Sequence, residues 1–155
     1  MKGTLMDLIL WRHAEAEDGS PDAARKLTVK GVKQARTMAQ WLRARIDEPV
    51  RVLVSPALRA QQTAQAFSSQ LETRAELDVG SSAARILRIT GWPKAEGTTI
   101  VVGHQPTLGQ LAAFLLSGEE AVWDIKKGAV WWFRTRPHAG KPETELRAVI
   151  APKYA

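Results

Sequence analysis

Two arginines and two histidines in this sequence lie at or just beyond the ends of short apolar runs. Arg12 and His13 follow the run LILW, Arg59 lies in VLVSPALRA, and His104 follows IVVG. An arginine guanidinium is always charged and presents a planar set of donors that matches a phosphoryl group. A neutral imidazole is a competent nucleophile, and histidine is neutral often enough near pH 7 to serve. These residue types in this pattern indicate phosphoryl-transfer chemistry.

The elements that must position these residues follow from the apolar pattern. Short β-branched runs predict buried strands, and apolar positions at helical spacing predict helices. The predicted strands are residues 5–11, 50–54, 98–102 and a weaker one at 77–79. The predicted helices follow Thr28 as an N-cap, follow Pro56, span residues 83–89 and begin near Leu108. Residues 129–134 and 145–150 are predicted to pair as a hairpin at a sheet edge, joined by a Pro/Gly loop.

The alternation of strands and helices predicts an α/β fold with a mainly parallel sheet. In such sheets, ligands bind beyond the carboxyl ends of the strands. Arg12, His13, the segment 55–59 and His104 all follow predicted strands. We therefore expect them to lie together on one rim, where the first turns of the helices after Pro56 and Pro106 add partial positive charge.

The composition limits the class of protein. The chain has 155 residues, 45% hydrophobic and 25% charged, which predicts one globular domain spanning residues 1–155. It has no cysteine, which excludes disulfides and thiolate metal sites and fits a cytoplasmic location. No apolar run has the ~20 residues of a membrane span, and the start of the chain is a poor signal peptide.

The charge and the tryptophans bear on partners. The net charge of +6 favours anionic partners, although no block of five or six like charges occurs. Six tryptophans could stack on nucleic-acid bases. Since Trp11, Trp131 and Trp132 lie in strand-like runs, we interpret them as packing residues and expect no nucleic-acid or membrane partner. The sequence leaves the oligomeric state open.

Four segments of the sequence resemble one family. LILWRHAEAE, VLVSPALRAQQTA and IVVGHQPTL resemble the motifs of the histidine phosphatase superfamily, whose members are phosphoglycerate-mutase-like proteins. The segment DAARKLTVKG, residues 22–31, is similar to the loop of the SixA branch, the small phosphohistidine phosphatases. The resemblance covers about residues 5–118. It implies a single-domain, three-layer α/β/α architecture.

The resemblance also implies the roles of individual residues. His13 would be the nucleophile that becomes phosphorylated, and Arg12 and Arg59 would bind the phosphoryl oxygens. His104 would complete the pocket as a further donor. Asp22 and Arg25 match the loop that borders the pocket in this branch and are the other expected substrate-binding residues.

Two features depart from the family pattern. Ala14 stands where the family usually has glycine, and alanine does not suit a strongly positive φ. The general acid is also unassigned, with four carboxylates as alternatives: Asp18, Asp22, Glu76 and Asp78. Glu15 and Glu17 could form a further catalytic pair, but we interpret them as solvated loop residues.

The remaining alternatives concern metals and His138. His13, His104 and Asp22 could in principle bind a metal ion, but the sequence lacks clustered metal-ligand spacing, and the arginines would repel a cation. We therefore expect no metal and no cofactor. His138 lies between Pro137 and Gly140 and is predicted to be a surface loop residue.

These observations lead to one hypothesis and two alternatives. Residues 60–103 between Arg59 and His104 leave no room for a cap insertion, so the pocket should be shallow and open. Such a pocket suits a phosphorylated side chain on another protein. We therefore hypothesise a phosphohistidine phosphatase that acts on a protein, such as a histidine-containing phosphotransfer domain, through a covalent intermediate. A small-molecule phosphomonoesterase and a catalytically inactive module that binds a phosphate-bearing ligand are the alternatives.

Overall fold

The computed structural model describes residues 5–155, which form a six-stranded sheet with four α-helices. The predicted domain, residues 1–155, extends beyond this part by residues 1–4. The strands are β1 (Met6–Arg12), β2 (Val50–Val54), β3 (Glu72–Thr73), β4 (Gly97–Gly103), β5 (Val130–His138) and β6 (Lys141–Ile150). The helices are α1 (Val29–Arg43), α2 (Leu58–Gln65), α3 (Ala83–Thr90) and α4 (Thr107–Ser117).

The sheet is mainly parallel, as predicted. Its strand order is β3-β2-β4-β1-β5-β6, and the first four strands in this order are parallel to one another. β5 pairs antiparallel with β1, and β6 pairs antiparallel with β5. The α/β fold class and the hairpin at the sheet edge are therefore confirmed.

Helices cover both faces of the sheet, which gives the expected three layers. β1 shows this directly, because its residues alternate between the two cores. Leu8 and Leu10 pack in the core under α3 and α4. Ile9 and Trp11 pack in the core under α1 and α2. All four side chains are completely buried, so β1 is fixed from both sides.

The third strand is not where the sequence predicts it. Instead of residues 77–79, β3 consists of Glu72 and Thr73. The chain then leaves the sheet, because the amide of Leu77 donates to the carbonyl of Arg74 and closes a turn of 3-10 helix. Leu77 is buried in the core and Val79 is exposed, so their apolar pattern belongs to a turn that covers the sheet.

Two further boundaries differ from the prediction. α2 begins at Leu58, two residues after Pro56. The strands of the hairpin extend to a two-residue turn, Ala139–Gly140, in which both residues have positive φ. His138 is therefore the last residue of β5 and not a loop residue, although its side chain is exposed as expected.

The start of α1 anchors the segment that follows β1. Thr28 caps the helix, as predicted, because its hydroxyl oxygen accepts from the amide of Gly31 at 2.9 Å. The same hydroxyl donates to Glu15 Oε2 at 2.7 Å. A β-carbon on Gly31 would overlap the carbonyl oxygen of Glu15, so this close approach requires glycine. In the described part of the chain, none of the helices could cross a membrane.

We predict that Gly31→Ala destabilises the protein, although alanine is the better helix former. The added methyl group must displace the backbone at Glu15, and such overpacking costs about 1–3 kcal/mol. The expected fall in Tm is several degrees, at roughly 2–4 °C per kcal/mol for a chain of this size. Thermal unfolding would measure it. Arg36→Ala, at an exposed position of the same helix, is the control that should leave Tm unchanged. Equal Tm values for wild type and Gly31→Ala would contradict the prediction.

Candidate active site

β1 carries Arg12 and His13 to the carboxyl edge of the sheet. The last residue of β1, Arg12, lies opposite Gly103, the last residue of β4. The amide of His13 donates to the carbonyl of Gly103 at 3.1 Å, so His13 stays beside the end of β4. His104 follows at once, and the centroids of the two imidazole rings are 5.2 Å apart. The two histidines predicted to share a rim therefore lie next to each other.

The ring of His13 is held by a hydrogen bond to Nδ1, which leaves Nε2 available. Its Nδ1 lies 2.8 Å from the carbonyl oxygen of Ala14. Because a carbonyl oxygen can only accept, Nδ1 carries the hydrogen, and Nε2 keeps its lone pair. The pKa of His13 is lowered to about 3, mainly by burial, with smaller contributions from His104, Arg59 and Arg12, while the hydrogen bond to Ala14 acts in the opposite direction. His13 is therefore neutral at neutral pH, as a nucleophile must be.

Arg59 is buried on the first turn of α2, with only 3% of its surface exposed. Its Nη1 donates to the carbonyl of Asp22 at 2.9 Å, and its Nη2 donates to the Asp22 carboxylate at 3.0 Å. Arg12 donates from Nη1 to the carbonyl of Ile125 at 2.8 Å. The Nε atoms of both arginines are buried with no partner among the described residues, so each retains a donor that a bound anion could satisfy.

His104 completes the group from the end of β4. Its ring is buried, and Nε2 lies 2.8 Å from the hydroxyl oxygen of Ser55 at the end of β2. The pKa of His104 is lowered to about 4, mainly by burial and to a smaller extent by the charge of Arg59. Asp78 and Asp22 oppose this shift. His104 is thus a second neutral imidazole at neutral pH.

A cavity of about 210 Å³ joins these side chains. Its lining contains the predicted nucleophile, His13, and every residue predicted to bind substrate except Asp22: Arg12, Arg25, Arg59 and His104. Four cationic side chains surround it, since Lys127 lies on its border as well. A concave site with this lining can hold a dianionic phosphoryl group and stabilise the charge that develops during transfer.

Lys127 is a residue of the cavity lining that the sequence does not predict. A turn at residues 126–129 places it there, because the amide of Gly128 donates to the carbonyls of both Arg12 and His13 at 3.1 Å. Gly128 also accepts from the indole nitrogen of Trp11. These contacts join parts of the chain more than 100 residues apart, and no motif or periodicity signals them. Gln105, also in the lining, is engaged in holding Trp123 and Gly109.

The structure distinguishes the carboxylates considered as general acids. The Asp22 carboxylate accepts hydrogen bonds from Arg25 and Arg59, which lower its pKa. Glu76 forms an ion pair with Arg74 at 3.0 Å, and its pKa is lowered for the same reason. Both remain anionic near neutral pH, so Asp22 serves to hold Arg59 and Arg25 in place. Asp18 and Asp78 are exposed side chains outside the cavity lining.

Glu15 and Glu17 lie outside the cavity as well. Glu15 is a loop residue, as expected, but it is not fully solvated. It is half-buried, because its carboxylate accepts from Thr28 and its amide donates to Gln34. Glu17 is exposed and holds the loop through its backbone, accepting from Arg25 Nε at 2.7 Å.

Ala14 fits the position that is usually glycine. It is fully buried, and its φ is not positive, since Ala139 is the one non-glycine residue with positive φ in the described part of the chain. Its amide donates to the Thr63 hydroxyl at 3.0 Å. Its methyl group packs in a small core with Leu27 and Ala35. Alanine therefore causes no backbone strain here.

The titratable residues described by the structure contain no group of three or more that could hold a metal ion. His13, His104 and Asp22, considered above as possible ligands, are each engaged with other partners: His13 with Ala14, His104 with Ser55, and Asp22 with two arginines. The arrangement fits an anion better than a cation.

Comparisons with known proteins bear on the family and the fold of this chain. A family model described as histidine phosphatase superfamily (branch 1) matches residues 8–81. The chain is 36% identical over 125 residues to phosphohistidine phosphatase SixA of Escherichia coli (strain K12), covering 74% of this chain and 76% of that protein. It is 36% identical over 159 residues to a SixA homolog of Haemophilus influenzae, covering 85% and 97%. The solved structure of the protein histidine phosphatase SixA complexed with tungstate superposes with a TM-score of 0.76 at 28% identity, covering 96% and 98%.

We predict that His13 stays neutral far below the ordinary pKa of histidine, with its proton on Nδ1. Because the pKa is lowered to about 3, the neutral form persists as the pH falls through 6.5 and protonates only near pH 3. Long-range ¹H–¹⁵N correlation spectra of the ring at about pH 5 would report both the charge and the tautomer. The His13→Gln variant assigns the signals. A cationic ring at that pH, or a proton on Nε2, would contradict the prediction.

Proposed function

The chain belongs to the histidine phosphatase superfamily and to its SixA branch, and on this premise we propose that it removes the phosphoryl group from phosphohistidine on another protein through a phosphorylated His13. The contact that carries the proposal is the hydrogen bond from His13 Nδ1 to the carbonyl of Ala14. It leaves the lone pair of Nε2 available in a cavity that is lined by four cationic side chains.

The first step transfers the phosphoryl group to His13. Nε2 forms a bond to phosphorus while the bond between phosphorus and the substrate imidazole breaks, and the electron pair of that bond stays on the substrate nitrogen. A substrate ring that carries a proton on its other nitrogen leaves as neutral imidazole. His13 then carries a positive charge, which the hydrogen bond from Nδ1 to Ala14 stabilises. Arg12, Arg59 and His104 would hold the phosphoryl oxygens throughout.

The second step restores the enzyme. Water attacks phosphorus, the bond to Nε2 breaks, and its electron pair returns to His13, which becomes neutral again. The oxygen of the water and one of its hydrogens stay on the phosphorus, and the other hydrogen passes to a phosphate oxygen. Inorganic phosphate leaves. Because His13 keeps its proton on Nδ1 in both steps, neither step draws a proton from a side chain of the protein.

This proton balance favours phosphohistidine over an alkyl phosphate ester. An alkoxide leaving group needs a proton donor, whereas an imidazole that is already protonated on its other nitrogen does not. Asp22 and Glu76 are held as anions by arginines and are poor donors. We therefore assign none of the carboxylates considered the role of an indispensable general acid.

The surroundings of the cavity favour a protein as the substrate. Between α2 and α3 the chain forms a two-residue strand and one turn of 3-10 helix, and this stretch contains no further α-helix that could cover the site. Arg25 and Lys127 lie in the cavity lining. A phosphorylated side chain on the surface of another protein could reach His13 in such an open site.

We predict that His13→Ala abolishes turnover, by at least about 10³-fold, because the nucleophile is lost. His138→Ala, at the exposed tip of the hairpin, is the matched control and should retain full activity. The assay is release of phosphate from a phosphohistidine-bearing phosphotransfer protein, together with capture of an alkali-stable phosphoryl group on the wild-type enzyme. Full activity in His13→Ala would contradict the mechanism. Clear preference for sugar phosphates over the phosphoprotein would favour a small-molecule phosphomonoesterase.

We also predict that Lys127→Ala weakens substrate binding, raising KM about 3- to 10-fold with a smaller change in kcat. Lys127 would attract the phosphate-bearing surface without touching the nucleophile, so its charge acts mainly on association. Lys126→Ala is the matched control, because Lys126 is paired with Asp124 and lies outside the cavity lining. The measurement is steady-state kinetics at two salt concentrations. Equal KM values for the two variants would contradict the role of Lys127.

A further inference from the structure

We infer that the hydroxyl of Ser55 holds His104 in the tautomer that carries its proton on Nδ1, which makes His104 a neutral hydrogen-bond donor and prevents it from acting as a second base. Ser55 is thus a positioning residue that acts through His104. The tautomer follows from contacts of the free protein, whereas its consequence for catalysis rests on the proposed function.

The first step is the position of Ser55. It lies directly after β2, and its amide donates to the carbonyl of Val102 at 3.1 Å. Its own carbonyl accepts from Gln61 Nε2 at 2.9 Å. Since Ser55 is completely buried, its hydroxyl group must find its partners within the protein.

The second step is to count the partners of that hydroxyl group. It can donate one hydrogen and accept two. The amide of Ala57 donates to it at 3.1 Å. The other partner among the described residues is His104 Nε2, at 2.8 Å. If Nε2 carried a hydrogen, it would have to donate to the serine oxygen, and the hydroxyl hydrogen would be buried with no acceptor among the described residues, which is unfavourable.

The third step follows for His104. The hydroxyl hydrogen of Ser55 is donated to Nε2, so Nε2 is unprotonated. The low pKa of His104, about 4, keeps the ring neutral, and its one ring proton must then lie on Nδ1. Nδ1 has no hydrogen-bond partner in the described part of the chain, and the ring lines the cavity. Nδ1 is therefore the atom that can donate to a phosphoryl oxygen.

The two histidines thus carry out opposite tasks. Both are neutral and both carry the proton on Nδ1, but the protein forms a hydrogen bond to a different ring nitrogen in each. In His13, Nδ1–H donates to the carbonyl of Ala14, and the lone pair of Nε2 stays free. In His104, the lone pair of Nε2 accepts from the hydroxyl of Ser55, and Nδ1–H stays free. One ring can attack phosphorus, and the other can donate to its oxygens.

The test measures the tautomer of His104 and needs no substrate. Long-range ¹H–¹⁵N correlation spectra of the full chain near pH 7 should show a protonated Nδ1 and an unprotonated Nε2 in the wild type, with His104→Gln assigning the signals. Ser55→Ala should give a mixture of tautomers, and Ser55→Thr, which keeps the hydroxyl, should restore the wild-type pattern. A wild-type ring protonated on Nε2 would overturn the inference, and so would an unchanged pattern in Ser55→Ala.

Kinetics then measure the consequence. Ser55→Ala should lower kcat/KM about 10- to 100-fold. This loss is smaller than that caused by removing a hydrogen-bond donor to the transition state outright, because part of the His104 population would keep its proton on Nδ1. Ser55→Thr should recover most of the lost activity. Thr90→Val is the control for removing a buried hydroxyl whose hydrogen bonds go to Leu87 and Trp92 and to neither histidine, and it should keep full activity. Wild-type activity in a Ser55→Ala protein of mixed tautomer would overturn the role of Ser55. Wild-type spectra as expected, with no turnover of phosphohistidine, would count against the proposed function alone.

Discussion

The parallel pairing of β1 with β4 is the constraint on which the site depends. Arg12 lies opposite Gly103, so His13 and His104 leave the sheet at the same level. A shift of this register by one residue would turn every side chain of β1 to the other face. The complete burial of residues on both faces of β1 opposes such a shift, because Leu8 and Ile9 would have to exchange cores. The placement of His13 beside His104 therefore depends on packing in the two cores beneath them.

The buried charge of Arg59 explains why Asp22 cannot be treated as a free acid. A guanidinium with 3% exposure needs partners, and Asp22 supplies both a carbonyl and a carboxylate oxygen. The carboxylate is itself half-exposed, so water screens the pair from one side. This compromise leaves the Nε atom of Arg59 without a partner and fixes the plane of the guanidinium before any ligand arrives. The Asp22 carboxylate thus orients the guanidinium of Arg59 and does not serve as a proton donor.

How far the sequence predicts this molecule depends on the range of the contacts involved. Strand ends followed by Arg12, His13 and His104 are local signals, so the fold class and the rim were predictable. Lys127 was not, because a backbone contact between Gly128 and His13 places it. The strand predicted at residues 77–79 was wrong because a local β pattern cannot show that Leu77 enters the core from a turn. Ser55 belongs to the segment VLVSPALRAQQTA, but the contact of its hydroxyl group with His104, 49 residues away, could not be predicted from that segment.

The turn after α4 has a consequence for how the protein is made. Arg12 donates from its amide to Ala129 and from its guanidinium to Ile125, 113 residues later in the chain. β5 then pairs with residues 6–11 of β1. During synthesis, β1 leaves the ribosome early, and its edge that pairs with β5 stays unpaired until β5 has been made. Although His13 and His104 precede residue 105, a nascent chain on the ribosome would hold an incomplete cavity until residues 125–138 had emerged.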